Sequence, residues 1–268
     1  MYKPFVKAKV NRRSLLLVVV LCVFLLLPQR SVAQDSSANK QPVPPFPPPP
    51  YVTAEGLCVG VGVKWDADAV KKLMPPVLEP SAEMGGSITI CTVQRGSIGP
   101  FAYANFDVEL VPSPLTSGYP GNWNALGIYN AQPTVVNTLR EYYGSQVQVG
   151  DARITETKGG YRAVALLNGK EVVAIEVKVS SEPCQAATTT IDYVNVRERT
   201  GEIFLIHFPV APDICNAEPV SAKVTAPAGD VLLDALQPKE LLYAVVGKNA
   251  AGSWGAPITV GWTEPITK

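Results

Sequence analysis

Ala163-Val-Ala-Leu-Leu-Asn-Gly-Lys-Glu-Val-Val-Ala-Ile-Glu-Val-Lys-Val179 is the stretch that decides the fold class. Two apolar-rich runs, Ala163 to Leu167 and Glu171 to Val179, flank Asn168-Gly169. Both central residues of a type I′ turn need positive φ, which Asn and Gly adopt at little cost, and the twist of that turn matches paired strands. The stretch reads as a β-hairpin. In its second arm Val173, Ile175, Val177 and Val179 share one face, and Glu176 and Lys178 share the other. That is the period of two expected of a half-buried strand.

The same period recurs on either side. Val59, Val61, Val63 and Trp65 alternate with Gly60 and Gly62 in the run Cys58 to Trp65. Paired glycines on one face of a strand imply a sharply coiled barrel or a close backbone approach. Ser87 to Val93, Ala104 to Val111, Thr188 to Val196, Ile203 to Phe208, Ser221 to Thr225, Glu240 to Val246 and Ile258 to Trp262 read as further strands. Helices are few. Asp66 or Asp68 can cap a short one that stops at Pro75-Pro76. A second opens with Pro133, carries Val136, Leu139 and Tyr143 on one face, and ends at Gly144; a third covers Asp230 to Leu236. The expected class is α+β, mainly antiparallel β: a closed or cone-shaped β-barrel with a few short helices.

The chain ahead of this domain has a different composition. Lys3, Lys7, Lys9, Arg12 and Arg13 precede the apolar run Leu15 to Leu27, then Pro28 and Ser31-Val32-Ala33. A basic start, a short apolar core and a small-x-small site describe a secretory signal over residues 1–33. The apolar run is shorter than the roughly 20 residues of a bilayer span, although an uncleaved anchor is the alternative. Residues 34–50 end in Pro47 to Pro50 and read as a proline-rich spacer; residues 51–268 form the folded domain. The expected location is therefore secreted or periplasmic.

Six of the 23 basic residues and none of the 23 acidic ones lie before Gln34, which leaves 17 against 23 and a net charge of −6. A nucleic-acid binder needs a positive stripe, so neither nucleic acid nor an anionic membrane surface is an expected partner. Cys58, Cys91, Cys184 and Cys215 make an even count for an oxidising compartment and are expected to form one or two disulfides, buried free thiols being the alternative. Their spacing does not choose among three pairings. No CxxC or Cys/His cluster suggests a metal, and no cofactor motif is present. The single histidine, His207, sits in Phe-Leu-Ile-His-Phe and reads as a core residue rather than a catalytic base.

Three stretches in order resemble the acetoacetate decarboxylase-like superfamily. Asp68-Ala-Val-Lys-Lys-Leu-Met-Pro-Pro-Val-Leu-Glu79 is similar to its helix followed by LPxxLE. Gly99-Pro-Phe-Ala-Tyr-Ala-Asn105 is similar to GxYxE before an apolar strand, and Thr138-Leu-Arg-Glu-Tyr-Tyr-Gly144 to the GREywG helix end. The resemblance implies decarboxylation through a Schiff-base lysine whose pKa is lowered by burial and a neighbouring cation. On this chain the nucleophile position falls on Val147, its neighbour on Gln148, and the glutamate of the YxE strand on Asn105. The family's other acid falls near Thr89 or Ile90 and its arginine near Gly56. A site that sheds Schiff-base chemistry should shed its buried charges together.

The signal segment, the resemblance and the chain's departures from it together imply an exported domain that binds a small keto or carboxylic molecule in the barrel without forming an imine. The expected pocket gathers Tyr103, Asn105, Arg140, Glu141, Tyr143, Gln146, Val147 and Gln148. Two alternatives stay open. One is an enzyme, a decarboxylase, other lyase or hydrolase, using a different residue such as Lys158, Lys170 or Lys178; the other is a structural domain with a filled barrel. The family's tendency to assemble leaves room for a homo-oligomer.

Overall fold

Residues 48–116, 118, 121–130 and 133–265 are described by the structure, a computed structural model. The expected signal segment and the spacer up to residue 47 lie outside the described residues. The chain begins with β1 (Tyr51–Trp65), α1 (Ala67–Leu73), β2 (Gly85–Gly96), β3 (Phe101–Leu110), β4 (Gly121–Tyr129), α2 (Pro133–Tyr143) and β5 (Val147–Val149). It continues through β6 (Asp151–Thr157), β7 (Gly160–Leu167), β8 (Lys170–Val179), β9 (Gln185–Ala186) and β10 (Thr189–Arg197). It ends in β11 (Glu202–Val224), α3 (Val231–Ala235), β12 (Pro238–Trp254) and β13 (Ile258–Trp262).

The strands form one mixed, largely antiparallel sheet. Seven of them close a ring in the order β10-β4-β3-β2-β1-β12-β11, with β11 returning to β10. This is a ring rather than a regular barrel. Its β4–β10 join is one parallel bridge, Tyr193 to Asn122, and β11 leaves the ring to pair with β8. The hairpin β7–β8 turns on Asn168-Gly169, both at positive φ, with Leu167 paired to Lys170. Together with β6 it folds back over the ring. Val59, Val61, Val63, Ile88, Ile90 and Phe106 pack there in one buried cluster with Ala163, Val173 and Ile175. Burying side chains of this size contributes about 1.5–3 kcal/mol each before entropy is counted. The opposite face of β1, carrying Cys58, Gly60 and Gly62, is therefore turned to the inside of the ring.

The helices end where their caps require. Asp66 Oδ1 accepts from the Ala69 N–H at 3.0 Å, and Asp230 Oδ1 accepts from the Leu233 N–H at 3.0 Å. The Gly144 N–H donates to the Arg140 carbonyl at 3.1 Å and closes α2.

Two strand readings differ from the structure. The runs Ile203 to Phe208 and Ser221 to Thr225 are parts of the single strand β11. Proline lacks an N–H and is confined to edges and bulges of a sheet. Here Pro212 sits at a register shift against β12 and Pro219 borders one against β8, while Pro209 pairs in register with Thr190, so prolines that suggest strand ends lie inside one continuous strand. In addition β4, β5 and β6 are present where no strand is expected. Nearly all of β4 is buried on both faces, which removes its alternation, and β6 is a mostly polar edge strand.

His207 is a correction as well. It is exposed, with Nδ1 2.7 Å from Asp192 Oδ1 on the neighbouring β10. Ile206 and Phe208 lie on the opposite, buried face, while the face that carries Ile203, Leu205 and His207 is covered at the first two and opens to solvent at His207.

Both cysteine pairs are at bonding distance. Cys58 pairs with Cys91 and Cys184 with Cys215, each with Cα atoms 4.1 Å apart. Cys58 and Cys91 are direct partners in the β1–β2 ladder. Two such pairs point to an oxidising, non-cytosolic compartment. Among the described residues no helix is long and apolar enough to cross a membrane. Thiol titration of unfolded, unreduced domain should find no free thiol among these four. Replacing either pair with two serines should lower unfolding stability by about 2–4 kcal/mol in urea melts.

Candidate functional site

Three transverse rows, each taking one residue from successive strands, build the wall of the ring's interior. The first runs Gly247, Cys58, Cys91, Tyr103, Tyr129 from β12 to β4. The second runs Val245, Gly60, Thr89, Asn105, Gly127. The third runs Tyr243, Gly62, Ser87, Asp107, Asn124. Tyr193 and Phe208 face them from β10 and β11. Between the walls lies a cavity of about 410 Å³.

Glycine sets its shape. The ring of Tyr243 occupies the space a Cβ on Gly62 would need. Gly60 lines the cavity, and a Cβ there would press on Thr89 Oγ1 at 3.3 Å and touch Val245 Cγ2 at 3.5 Å and Thr89 Cγ2 at 3.9 Å.

The third row holds the one buried carboxyl group of the cavity. Asp107 is 6% exposed. Its Oδ2 accepts from Ser87 Oγ at 3.3 Å and its Oδ1 from Asn124 Nδ2 at 3.2 Å. Burial pushes the Asp107 carboxyl up to about 7, and these two hydrogen bonds only partly oppose the rise. The polar chain continues outward. Asn195 Oδ1 accepts from the Asn124 N–H, and Asn195 Nδ2 donates to the Tyr143 carbonyl and to Ser145 Oγ. Burial raises the phenols of Tyr103 and Tyr193, and the nearby charge of Asp107 adds to both.

The single pocket expected from the sequence is divided in the structure. Tyr103 and Asn105 line the cavity. Tyr103 stacks on Tyr129, with centroids 5.2 Å apart and planes 12° apart, and on Phe101 at 5.7 Å. Such pairs contribute about 0.5–1.5 kcal/mol beyond their area. The Tyr129 ring crosses Gly127, and its hydroxyl donates to Asn105 Oδ1 at 3.5 Å.

Val147 extends the second row, because β5 runs parallel to β4 with Gly127 paired to Val147. It is 3% exposed and packs in the aromatic cluster behind Tyr129, outside the cavity lining. Tyr143 is fully buried between Tyr51 and Trp254, and its hydroxyl donates to the Trp254 carbonyl at 3.3 Å.

Arg140, Glu141, Gln146, Val147 and Gln148 border a separate surface depression of about 370 Å³. Their polar groups are committed there. Arg140 Nε donates to the Val147 carbonyl at 2.8 Å, and Gln146 Nε2 donates to Glu198 Oε1 at 2.8 Å. Gln148 Nε2 reaches Asp230 Oδ2 at 3.4 Å, and the Glu141 carboxylate pairs with Arg199 at 3.1 Å. The physical reason for the division is the Tyr129 ring, which separates Asn105 from the segment after α2. Lys158, Lys170 and Lys178 are exposed, and none lines the cavity.

Sequence reasoning missed Asp107, Glu109, Ser87 and Tyr243. A signal existed for the acids. Tyr103, Asn105, Asp107 and Glu109 alternate with buried Ala104, Phe106 and Val108, so one parity assigns all four to the lining.

This fold is similar to that of solved acetoacetate decarboxylase and acetoacetate decarboxylase-like structures. Neither a protein-family model nor a curated protein sequence matches the chain. Solved structures do. Acetoacetate decarboxylase from Legionella pneumophila superposes with a TM-score of 0.68 at 10% identity, over 85% of this chain and 94% of that one. The enduracididine biosynthesis enzyme MppR, complexed with pyruvate, gives 0.62 at 17% identity, over 81% and 92%. An acetoacetate decarboxylase-like enzyme from Sphingomonas wittichii RW1 gives 0.64 at 11% identity, over 81% and 94%. These likenesses establish the fold.

Asp107 generates a stability prediction. The unfolded carboxyl titrates near 3.8 and the folded one near 7. Between those values the folded chain keeps a proton that the unfolded chain has lost, so stability falls as pH rises through the window and levels off above it. The loss attributable to Asp107 is at most about 4 kcal/mol. In urea melts from pH 4.5 to 8.5, Asp107→Asn should lack this decline and should be the more stable protein above pH 7. Parallel profiles for the two proteins would show that Asp107 titrates normally in the fold.

Proposed function

We propose that this chain is an exported acetoacetate decarboxylase-like domain that binds a small organic molecule inside the ring without forming an imine. The observation that carries the reading is the cavity of about 410 Å³, among whose lining residues there is no lysine, arginine or histidine. A Schiff base needs an amine at the reacting centre. The position where the sequence resemblance calls for one is Val147, a buried alkyl side chain that is not among the residues lining the cavity. The size of the cavity also weighs against a filled structural core.

Keto compounds are one candidate class, since one structural neighbour is complexed with pyruvate. A free carboxylate is disfavoured. Asp107 and Glu109 both border the space and no basic group offsets them, so an anion would be desolvated without a partner. The export reading rests on the basic and apolar start of the sequence, and the two disulfides support it.

Borohydride treatment with acetoacetate or pyruvate should leave the protein mass unchanged. Uncharged ketones should raise the melting temperature saturably, and Gly60→Val, which adds bulk to the cavity lining, should abolish that rise. A reduced adduct mapped to a lysine would overturn the reading in favour of an enzyme. Protein recovered from the native host should begin at or near Gln34 by mass spectrometry.

A further inference from the structure

One end of the cavity collects negative charge. Asp107 closes it from within, and Glu109, two residues further along the same face of β3, is exposed at its rim. The Glu109 carboxylate lies over Gly85, in the space a side chain there would fill. Tyr243 stands at the same end. It is half exposed, and the charges of Glu109 and then Asp107 add to the burial that raises its phenol.

The groups that face Asp107 are Ser87 from β2, Asn124 and Tyr129 from β4, Tyr193 from β10, Tyr243 from β12 and Tyr103 on its own strand. None is basic. Lys64, on β1 beside Gly85, is held by Glu83 and Glu240, and no ion pair reaches Asp107 or Glu109 among the described residues.

A buried carboxyl without a cation is costly to ionise, and a ligand that brings positive charge removes that cost. Aromatic side chains add attraction for an ammonium group. An anion gains neither.

We propose that the cavity takes a small protonated amine, with its ammonium group seated between Asp107 and Glu109 and its apolar body against Tyr103, Tyr193 and Phe208. The proposal rests on the reading of the interior as a small-molecule site and names the class of its ligand. Below pH 7 the amine must displace a proton from Asp107, so affinity rises with pH by up to about tenfold per unit and levels off above 7.

Three ring-matched probes separate the outcomes: cyclohexylamine, cyclohexanone and cyclohexanecarboxylate, titrated calorimetrically against the mature domain from pH 5.5 to 8. The amine should bind most tightly, its affinity should climb across that range, and heats in two buffers should reveal proton release at pH 6. Asp107→Asn should weaken the amine at least tenfold at pH 8, and the rim variant Glu109→Gln, which leaves the interior intact, about threefold. Gly60→Val should remove binding altogether. Tighter binding of the carboxylate, or of cyclohexanone with no amine binding, overturns the charge assignment and leaves the small-molecule reading standing. Amine binding indifferent to both acid variants also overturns it, by putting the amine elsewhere. Absence of binding by all three probes removes the small-molecule reading and this inference with it.

Discussion

A ring of strands with large side chains pointing inward from every row collapses into a solid core. Here each inward row takes a small residue from β1: Cys58 between Gly247 and Cys91, Gly60 between Val245 and Thr89, and Gly62 beneath Tyr243. The other face of the same strand carries Val59, Val61 and Val63 into the densest part of the core. Rigid on one side and bare on the other, β1 anchors the wall while leaving the space. The disulfide to Cys91 ties that bare face to β2.

The interior so formed has two unlike ends. Toward α2 it is stopped by stacked rings of Phe101, Tyr103 and Tyr129, with Tyr143 and Trp254 behind them. Toward Tyr243 it carries its acids. A polar chain from Asp107 through Asn124 and Asn195 to Ser145 runs out toward the surface depression, so each polar group in it has a partner except Asn124 Oδ1. The proposed role, selective retention of a molecule by shape and charge, rests on this contrast between the two ends.

Local chemistry made much of the fold legible. Asn168-Gly169 fixed the hairpin register, and Asp66, Asp230 and Gly144 marked helix ends, because turns and caps depend on a few adjacent residues. What escaped depends on distant partners. The alternation of β4 vanished because both of its faces are buried, and the prolines of β11 look like strand ends until the strands that pair on either side of them are known. The site was half legible for the same reason. The family resemblance singled out Tyr103 and Asn105, which line the cavity, but the separation of Gln146 and Gln148 from them follows from the parallel pairing of β5 with β4 and from the ring of Tyr129. No local pattern encodes either.

The ring closes where β1 meets β12, with Tyr51 opposite Trp254. Its first strand therefore waits for one made some two hundred residues later, a separation that slows folding through loop-closure entropy. During synthesis the emerging chain can form the β7–β8 hairpin early but cannot enclose a chamber. Nothing in the topology lets the completed ring form while the carboxyl-terminal strands are still being made, and this delay suits the export proposed above. The same wiring makes the chamber depend on the last long strand, so a chain cut short before β12 would lose the binding space altogether rather than part of it.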